Sequence, residues 1–310
     1  MTTASAPAKI ILFGEHAVVH GRPAIAVPVK SLRAQVRVEK APPGEGISIV
    51  IPATRQRFRL GAEGNGENTL LYTTRLTLRR LNIKRLPDMV LVLDSDIPMG
   101  SGLGSGAAVS TALAQALATA LDHPMPKPDL NDLVFEIEKA HHGTPSGIDN
   151  TTIVYQQPVY FIKGQPIEML KIAAPFTLLI GDTGQGTPTY ITVGDVRKLY
   201  EKDPARVTPM FERIGEITRT ARAAIEQGTP EIMGALMNEN HTLLQKLTVS
   251  SVALDVLCEA ALQGGALGAK VSGGGRGGNM IALVREPEAA KVAEMLRSAG
   301  AVRVIKTRVG

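Results

Sequence analysis

Tryptophan is absent from this chain of 310 residues, and cysteine occurs once, at Cys258. A single cysteine excludes an internal disulfide framework and a multi-cysteine metal site, and it fits a reducing compartment. Aromatic residues make up only 4% of the chain, which is too few for the stacked aromatic platform that binds single-stranded nucleic acid. Apolar residues at 44% and charged residues at 20% are typical of a folded globular protein.

Long apolar runs are also missing. The run at 10–13 has only the length of a strand, and no segment approaches the ~20 residues that cross a bilayer. No basic N-terminal region leads into a long apolar core, as it would in a secretory signal. We therefore expect a cytoplasmic protein with no membrane partner.

The net charge is +5, and the densest basic segment covers residues 75–85 on a predicted helix and the turn after it. Such a segment could contact nucleic acid or attract an anionic substrate. It could equally be the solvated face of a helix, and we favour this interpretation because no aromatic side chain is interleaved with it. No nucleic-acid partner is predicted.

The length of the chain predicts two domains, 1–173 and 174–310, with the junction in the segment 164–175. The first domain is predicted to contain strands at 8–13, 24–29, 34–39, 47–51, 55–60 and 88–94, helices at 67–81, 109–121 and 129–140, and a pair of short strands at 152–162. The second is predicted to contain a strand at 177–181, helices between 188 and 263, strands at 269–272 and 279–284, a helix at 286–298 and a strand at 301–307.

A glycine-rich loop precedes the predicted helix at 109–121. Residues 98–108 read Pro-Met-Gly-Ser-Gly-Leu-Gly-Ser-Gly-Ala-Ala. Backbone N–H groups in such a loop, together with the positive end of the helix dipole, can surround a phosphate. The Gly-Lys-Ser/Thr of a Walker A loop is absent, so another nucleotide-binding design is indicated. A close packing contact is the alternative explanation.

Two further segments concentrate charged residues. In 9–21, a lysine opens an apolar strand and Gly-Glu-His follows where the strand ends, a place where functional sites tend to lie. In 138–150, Glu138 and Asp149 lie eleven residues apart across a Gly/Pro/Ser break. One carboxylate could hold a magnesium ion while the other orients a hydroxyl. The neighbouring pair at 141–142 is not predicted to bind metal, because adjacent helical side chains diverge.

A second glycine run covers residues 270–279 and formally contains G-x-G-x-x-G. It leads from one predicted strand into another strand rather than into a helix. The dinucleotide-binding interpretation therefore fails its structural requirement.

Taken in this order, the four segments resemble the motifs of the GHMP kinase superfamily, whose members phosphorylate small molecules such as galactose, homoserine, mevalonate and phosphomevalonate. The segments 9–21 and 143–150 are most similar to the members that act on mevalonate, and the resemblance extends from about residue 6 to residue 304. It implies an α+β, two-domain GHMP kinase fold. The N-terminal α+β domain would contain a left-handed βαβ crossover, the C-terminal domain would be ferredoxin-like, and the active site would lie in the cleft between them.

The resemblance also implies catalytic and substrate-binding roles. Asp149 corresponds to the catalytic aspartate that orients or deprotonates the accepting hydroxyl. Lys9 corresponds to the lysine that lowers the pKa of that hydroxyl and offsets charge on the transferring phosphoryl group. Positioning and charge neutralisation of this kind dominate phosphoryl transfer. Glu15, His16 and Thr189 correspond to substrate-binding residues, and Lys9 and His16 also suit the carboxylate of a small acid.

ATP is the implied co-substrate, with Mg²⁺ as cofactor. The residues that would bind the nucleotide lie in the first glycine loop, with two weaker candidates elsewhere: Gly100, Ser101, Gly102, Leu103, Gly104, Ser105, Gly106, Asn68 and Ser95. Glu138 would bind the magnesium ion, with Ser105 as a second ligand.

The sequence departs from the family pattern at two positions. Gly106 stands where the family has a second serine that binds magnesium, so either water replaces that ligand or the hydroxyl of Ser105, Ser110 or Thr111 reaches the ion. Arg276 stands in the second glycine run, where the family more often has a small residue. It could approach a phosphate or point into solvent.

The activity implied is magnesium- and ATP-dependent phosphorylation of the mevalonate 5-hydroxyl, with mevalonate and ATP as small-molecule partners. Phosphorylation of phosphomevalonate or homoserine is the alternative within the family. A related decarboxylase would use the same loops, but retention of both Lys9 and Asp149 favours simple phosphoryl transfer. A basic RNA-binding protein of similar fold is disfavoured by the complete motifs. The sequence does not determine the oligomeric state, and a homodimer is compatible with it.

Overall fold

The computed structural model describes residues 2–61, 68–142 and 145–310, with the backbone alone at residues 141 and 142. Three residues named in the sequence predictions, Glu67, Gly143 and Thr144, lie outside this described part. The chain divides into two compact units that alternate along the sequence. The first unit is formed by Met1–Ala8, Leu32–Pro98 and Gly104–Gln156, and the second by Lys9–Ser31, Met99–Leu103 and Gln157–Gly310. The boundary between residues 173 and 174 stays a prediction.

Five strands contribute to the first unit, and two of them, β1 and β2, continue into segments of the second. They are β1 (Thr2–Phe13), β2 (Ala24–Lys40), β3 (Ile47–Ile51), β4 (Gln56–Arg59) and β5 (Met89–Ser95). The strands pair in the order β4-β3-β5-β2, and β1 also pairs with β2. β3 runs parallel to β5, whereas β5 with β2 and β3 with β4 are antiparallel. Along β5 the side chains of Met89, Leu91 and Leu93 are buried in alternation with less buried neighbours, which is the pattern of a strand with one face on the core.

Four helices complete the first unit: α1 (Thr69–Arg80), α2 (Ser105–Ala120), α3 (Lys127–His142) and α4 (Ile148–Tyr155). Helix α2 contacts α1, α3, α4 and strand β5. Its sequence is rich in alanine, and ten of its residues are buried. Because small side chains let neighbouring helices approach closely, α2 forms the centre of this helical layer.

The second unit contains a ferredoxin-like sheet. Its strands are β8 (Phe176–Asp182), β9 (Gly268–Ser272), β10 (Asn279–Val284) and β11 (Arg303–Val309), and they pair in the order β11-β8-β10-β9. All three pairings are antiparallel. Two short strands, β6 (Val159–Phe161) and β7 (Glu168–Met169), pair with each other, and β6 also pairs with residues 24–26 of β2.

Five helices belong to the second unit: α5 (Thr189–Lys202), α6 (Pro204–Gln227), α7 (Ile232–Lys246), α8 (Val252–Gln263) and α9 (Ala289–Ser298). Four of them lie between β8 and β9 in the chain, and α9 lies between β10 and β11. Every residue of β8 is buried. This element order and strand order confirm the predicted α+β class and the ferredoxin-like second half.

The pair of short strands predicted at 152–162 is wrong in its first part, since residues up to Tyr155 form helix α4. The β-branched run Thr151–Val154 is typical of a strand by composition. In the structure the hydroxyls of Thr151 and Thr152 donate to the carbonyl groups of Gly147 and Ile148, each at 2.8 Å, a bond that helical threonines make. Helix α4 packs on α2 and α3, so tertiary contacts override local propensity.

The strands predicted at 24–29 and 34–39 are one continuous strand, β2. The intervening Lys30 and Ser31 are exposed, which produced the apparent break in the sequence pattern. Within the described residues, no helix combines the length and the apolar character that a bilayer crossing requires.

Candidate active site

The first motif forms a tight turn at the end of β1. Gly14 has φ of +96°, and a Cβ atom there would collide with the backbone of Pro23 and Ala24, so only glycine fits. A short 3₁₀ helix, Ala17–His20, follows the turn. The ring of His20 stacks on Phe211 of α6 with centroids 4.3 Å apart, so this second histidine of the motif anchors the turn to the core.

Lys9 lies inside β1 and is buried. Its backbone N–H donates to the carbonyl group of Leu103 at 3.0 Å. This bond attaches the lysine-bearing stretch of the strand to residues 99–103 of the first glycine loop, which belong to the same unit.

Glu15 forms a buried ion pair with Lys270 of β9. The two side chains are 1% and 0% exposed. Burial raises the pKa of Glu15 and lowers the pKa of Lys270, and the attraction between the two charges opposes both shifts. The second carboxylate oxygen of Glu15, Oε2, is also buried and accepts no hydrogen bond from the described residues.

His16 is buried beside this pair and has φ of +59°, which is unusual for a residue with a side chain. Its Nε2 atom lies 3.0 Å from the carbonyl oxygen of Gly274, so Nε2 carries the proton of the neutral ring. Burial lowers the pKa of His16 to about 4, and the positive charge of Arg276 acts in the same direction. His16 is therefore uncharged at neutral pH, and its place beside the substrate stays a prediction.

Glu15 and His16 together present two buried hydrogen-bond acceptors, Glu15 Oε2 and His16 Nδ1. Neither atom has a partner among the described residues. Buried acceptors without a partner are costly, and the group that would satisfy them is a donor such as an alcohol hydroxyl. This pair of atoms is the most specific chemical feature of the second unit.

Residues 100–103 of the first glycine loop belong to the second unit. Gly100 and Gly102 have φ of +72° and +79°, a conformation that favours glycine. Ser101 and Leu103 are buried. The side-chain amide of Asn279 in β10 donates to the carbonyl group of Ser101, which fixes the loop against the sheet.

The second glycine run packs closely against the backbone of neighbouring segments. A Cβ atom at Gly275 would collide with the carbonyl oxygen of Val249, and one at Gly277 would collide with that of Gln185. The absent side chains therefore allow close backbone approach. Thr189, the first residue of α5, is exposed and lies beside Gly274, where an added Cβ would be 3.0 Å from the Thr189 Oγ1 atom.

The side chain of Arg276, predicted either to approach a phosphate or to point into solvent, is about one-third exposed and is hydrogen-bonded within the second unit. Its guanidinium donates to the Asp195 carboxylate at 2.6 Å and to the Thr248 carbonyl group at 3.0 Å. Sequence reasoning did not identify Asp195 or Lys270. The lysine was detectable as a lone charge inside the apolar strand 269–272, whereas Asp195 lies on an ordinary amphipathic helix and gave no signal.

The remaining part of the first glycine loop belongs to the first unit. Gly104 has φ of +75° and precedes α2, which begins at Ser105. The first N–H groups of a helix lack intrahelical partners and attract anions. Ser110 and Thr111 are buried and already hydrogen-bonded, to the Thr73 hydroxyl at 3.3 Å and to the Ala107 carbonyl group at 2.7 Å respectively.

Glu138 and Asp149 belong to neighbouring helices of the first unit. Glu138 is half-buried on α3, and Asp149 is half-buried in the first turn of α4. The Asn150 amide donates to the Asn131 side chain at 2.8 Å, which connects α4 to α3. The described residues contain no cluster of three or more His, Cys, Asp and Glu side chains that could hold a metal ion.

The two weaker nucleotide candidates also make local contacts. The Asn68 side chain caps α1 by accepting from Leu70 N at 2.9 Å and from Leu71 N at 3.3 Å. The Ser95 hydroxyl accepts from Ile97 N at 3.3 Å. A helix cap and a turn thus account for both side chains, and their role in nucleotide binding stays a prediction.

Comparison with known proteins identifies the class of this chain. The family model for the GHMP kinases N terminal domain matches residues 68–157, and that for the GHMP kinases C terminal domain matches residues 221–302. The chain belongs to the GHMP kinase family, as the motifs predicted, and it is an ATP-dependent kinase that acts on an alcohol. Mevalonate kinase of Pyrococcus furiosus is 34% identical over 97% of this chain and 94% of its own. That of Pyrococcus horikoshii is 35% identical over 99% and 95%.

Solved structures agree with the sequence relatives. Mevalonate kinase of L. major, in complex with R-mevalonate, superimposes with a TM-score of 0.88 at 26% identity and covers 100% of this chain and 96% of its own. Mevalonate kinase of Methanococcus jannaschii gives a TM-score of 0.88 at 25% identity over 99% and 98%. The two-domain GHMP kinase fold is confirmed.

Proposed function

We propose that this chain phosphorylates the 5-hydroxyl of (R)-mevalonate with ATP, producing 5-phosphomevalonate for isoprenoid biosynthesis. The observation that carries the proposal is the buried acceptor pair of Glu15 and His16, which the hydroxyl of an alcohol substrate would satisfy. Full-length similarity to mevalonate kinases selects mevalonate among the candidate alcohols.

Asp149 and Lys9 are the proposed catalytic residues. Asp149 accepts or orients the proton of the 5-hydroxyl from its position in the first turn of α4. Lys9 supplies positive charge from a buried position, where a charge acts more strongly than in water. Little covalent chemistry is needed from the protein in phosphoryl transfer, so two placed charges are sufficient.

Glu15, His16 and Thr189 are the proposed binding residues for the alcohol substrate. Glu15 Oε2 and His16 Nδ1 accept hydrogen bonds from substrate hydroxyls, because both atoms are acceptors and neither is satisfied by the described residues. The exposed Thr189 hydroxyl can donate to the substrate carboxylate, a role that the neutral His16 ring cannot perform through Nδ1.

The proposed phosphate-binding residues run from Gly100 to Gly106, and the N-terminus of α2 supplies N–H groups and the positive end of its dipole. Asn68 and Ser95 are proposed to border the nucleotide. ATP is the co-substrate.

Mg²⁺ is the proposed cofactor, held by Glu138 and Ser105. A carboxylate and a hydroxyl are the oxygen donors that Mg²⁺ prefers, and this ion usually keeps several waters and phosphate oxygens in its shell. Ser105 suits the role better than the two alternatives, because Ser110 and Thr111 are buried and hydrogen-bonded elsewhere. When bound, the ion neutralises phosphate charge during transfer.

The proposal is tested by ADP release with a panel of mevalonate, phosphomevalonate, homoserine and galactose. Turnover with mevalonate is expected. Turnover with another alcohol and none with mevalonate would show that the substrate assignment is wrong. A cytoplasmic location and a homodimer stay predictions from the sequence, and sedimentation velocity measures the second.

A further inference from the structure

Arg276 interrupts the second glycine run and has φ of +54°, in the region that glycine favours. Both the backbone N–H and the backbone carbonyl group of Arg276 are hydrogen-bonded. Its N–H donates to the Val249 carbonyl group at 2.7 Å, and its carbonyl group accepts from the Thr187 hydroxyl at 2.9 Å. An arginine in this strained conformation persists only when its surroundings fix it.

The guanidinium of Arg276 bridges two further elements. One N–H group binds the carboxylate of Asp195 on α5, and Nε binds the Thr248 carbonyl group in the turn after α7. Both charged side chains are about one-third exposed, at 32% and 35%. The bridge therefore attaches the glycine run to α5, the helix that begins at Thr189.

The same glycine run carries groups that face the proposed substrate residues. The Gly274 carbonyl oxygen, two residues before Arg276, accepts from His16 Nε2. Gly274 also lies directly against Thr189. The position of this run consequently sets the orientation of the His16 ring and its distance from Thr189.

An arginine in such a place could instead attract an anionic substrate. The contacts argue against this, because Asp195 compensates the charge and the N–H groups already have acceptors. A planar guanidinium is suited to bridging two fixed acceptors at once, which an ammonium group does poorly.

We propose that Arg276 is a positioning residue for the alcohol substrate, which acts by fixing the glycine run through Asp195 and Thr248 and thereby orienting His16. The choice of mevalonate as the substrate in the test rests on the proposed function.

Arg276→Gly is the principal variant, because glycine removes the guanidinium and tolerates the positive φ. We expect KM for mevalonate to rise about tenfold, while KM for ATP changes less than about twofold, since the bridge orients groups on the alcohol side only. Asp195→Ala should shift KM for mevalonate in the same direction. Arg276→Lys should behave like Arg276→Gly, because lysine keeps the charge but loses the bridge.

Arg213→Ala is the matched control. Arg213 forms a two-pronged pair with Glu239, at 2.6 and 2.9 Å, between α6 and α7 of the same unit. Its loss removes a comparable ion pair without touching the glycine run, so both KM values should stay at the wild-type level.

Hydrogen exchange provides a readout that needs no substrate. In Arg276→Gly the amides of residues 273–278 should exchange faster, whereas Arg213→Ala should leave them unchanged. Unchanged exchange in Arg276→Gly would overturn the inference even if the wild type proves inactive on mevalonate, a result that would count only against the proposed function. A wild-type KM in Arg276→Lys or Asp195→Ala, alongside a raised one in Arg276→Gly, would assign Arg276 to direct charge attraction and overturn it as well.

Discussion

The ion pair of Glu15 and Lys270 is the most deeply buried charge pair among the described residues, and its members are 255 positions apart in sequence. Removing one partner of a buried pair leaves the other charge without compensation. We expect Lys270→Met to destabilise the protein by about 3–5 kcal/mol, measured by urea unfolding. The double variant Glu15→Gln/Lys270→Met should lose less stability than the single one.

Lys306→Met is the control for this prediction, because Lys306 pairs with Glu286 on the surface and exposed pairs contribute little. A Lys270→Met protein as stable as the wild type would show that Glu15 is satisfied in another way.

His16 should make stability depend on pH. Its pKa is about 4 in the folded protein, against 6.5 for an unperturbed histidine, so the unfolded chain binds the proton more readily. Stability is therefore complete above pH 6.5 and falls as the pH decreases toward 4. Between pH 7 and pH 5 the wild type should lose about 2 kcal/mol more than His16→Asn, a variant chosen because asparagine tolerates positive φ. Equal losses in urea titrations at the two pH values would contradict a neutral, buried His16.

The prediction about the phosphoryl-transfer step concerns Asp149 and Lys9. Asp149→Asn or Lys9→Met should lower kcat by at least about a hundredfold, the lower end for a positioned acid–base group. Nucleotide binding, followed by calorimetry, should persist. Near-normal turnover in an Asp149 variant that still folds would remove this residue from the catalytic step.

At the scale of elements, the N-terminus of α2 contains Gly106, where the family resemblance leads us to expect a serine. Gly106 lies inside the helix and is exposed, and it is not among the residues with positive φ, so the backbone accepts a side chain there. Gly106→Ser should add an oxygen ligand and lower the magnesium concentration for half-maximal rate. Glu138→Gln should raise that concentration or abolish activity, because it removes the carboxylate that we propose as the principal protein ligand.

Ser105→Ala separates the two explanations of this departure. If Ser105 already fills the missing ligand position, Gly106→Ser changes little and Ser105→Ala weakens magnesium dependence. An unchanged magnesium requirement in Glu138→Gln would exclude the metal assignment altogether.

Elements with a clear periodicity of apolar residues were predictable from the sequence, and elements whose structure depends on tertiary contacts were not. Strand β5 alternates in hydrophobicity and was predicted within one residue of its observed bounds, whereas helix α2, predicted from residue 109, begins at Ser105. Helix α4 was not, because a short β-branched run is ambiguous until the helices around it are known. The hand of the crossover between β3 and β5 was inferred only from family resemblance.

The same limit applies to the candidate site. Residues inside contiguous motifs, such as Glu15 and His16, were identified because charge at the end of an apolar strand is unusual. Partners contributed by distant segments, such as Lys270 and Asp195, depend on three-dimensional proximity that no local pattern reports. The neutral state of His16 likewise follows from its burial in the folded chain, which no local sequence pattern reports.

At the scale of the whole molecule, the two compact units alternate along the chain. A fragment of residues 174–310 would lack residues 9–31, and with them the partner of the buried Lys270. We therefore expect this fragment to be unfolded or aggregated, whereas co-expression with 1–173 should restore order. Far-UV circular dichroism and hydrogen exchange measure both results, and a protected Lys270 strand in the isolated fragment would contradict the prediction.

The alternation of the units also has a consequence during synthesis. The turn that carries Glu15 is synthesised 255 residues before Lys270, its partner in β9. At about 5–20 residues per second, this interval lasts on the order of ten to fifty seconds. Throughout it, β1 can already pair with β2, whereas Glu15 lacks its partner Lys270, so the emergence of β9 is the event that completes this buried ion pair.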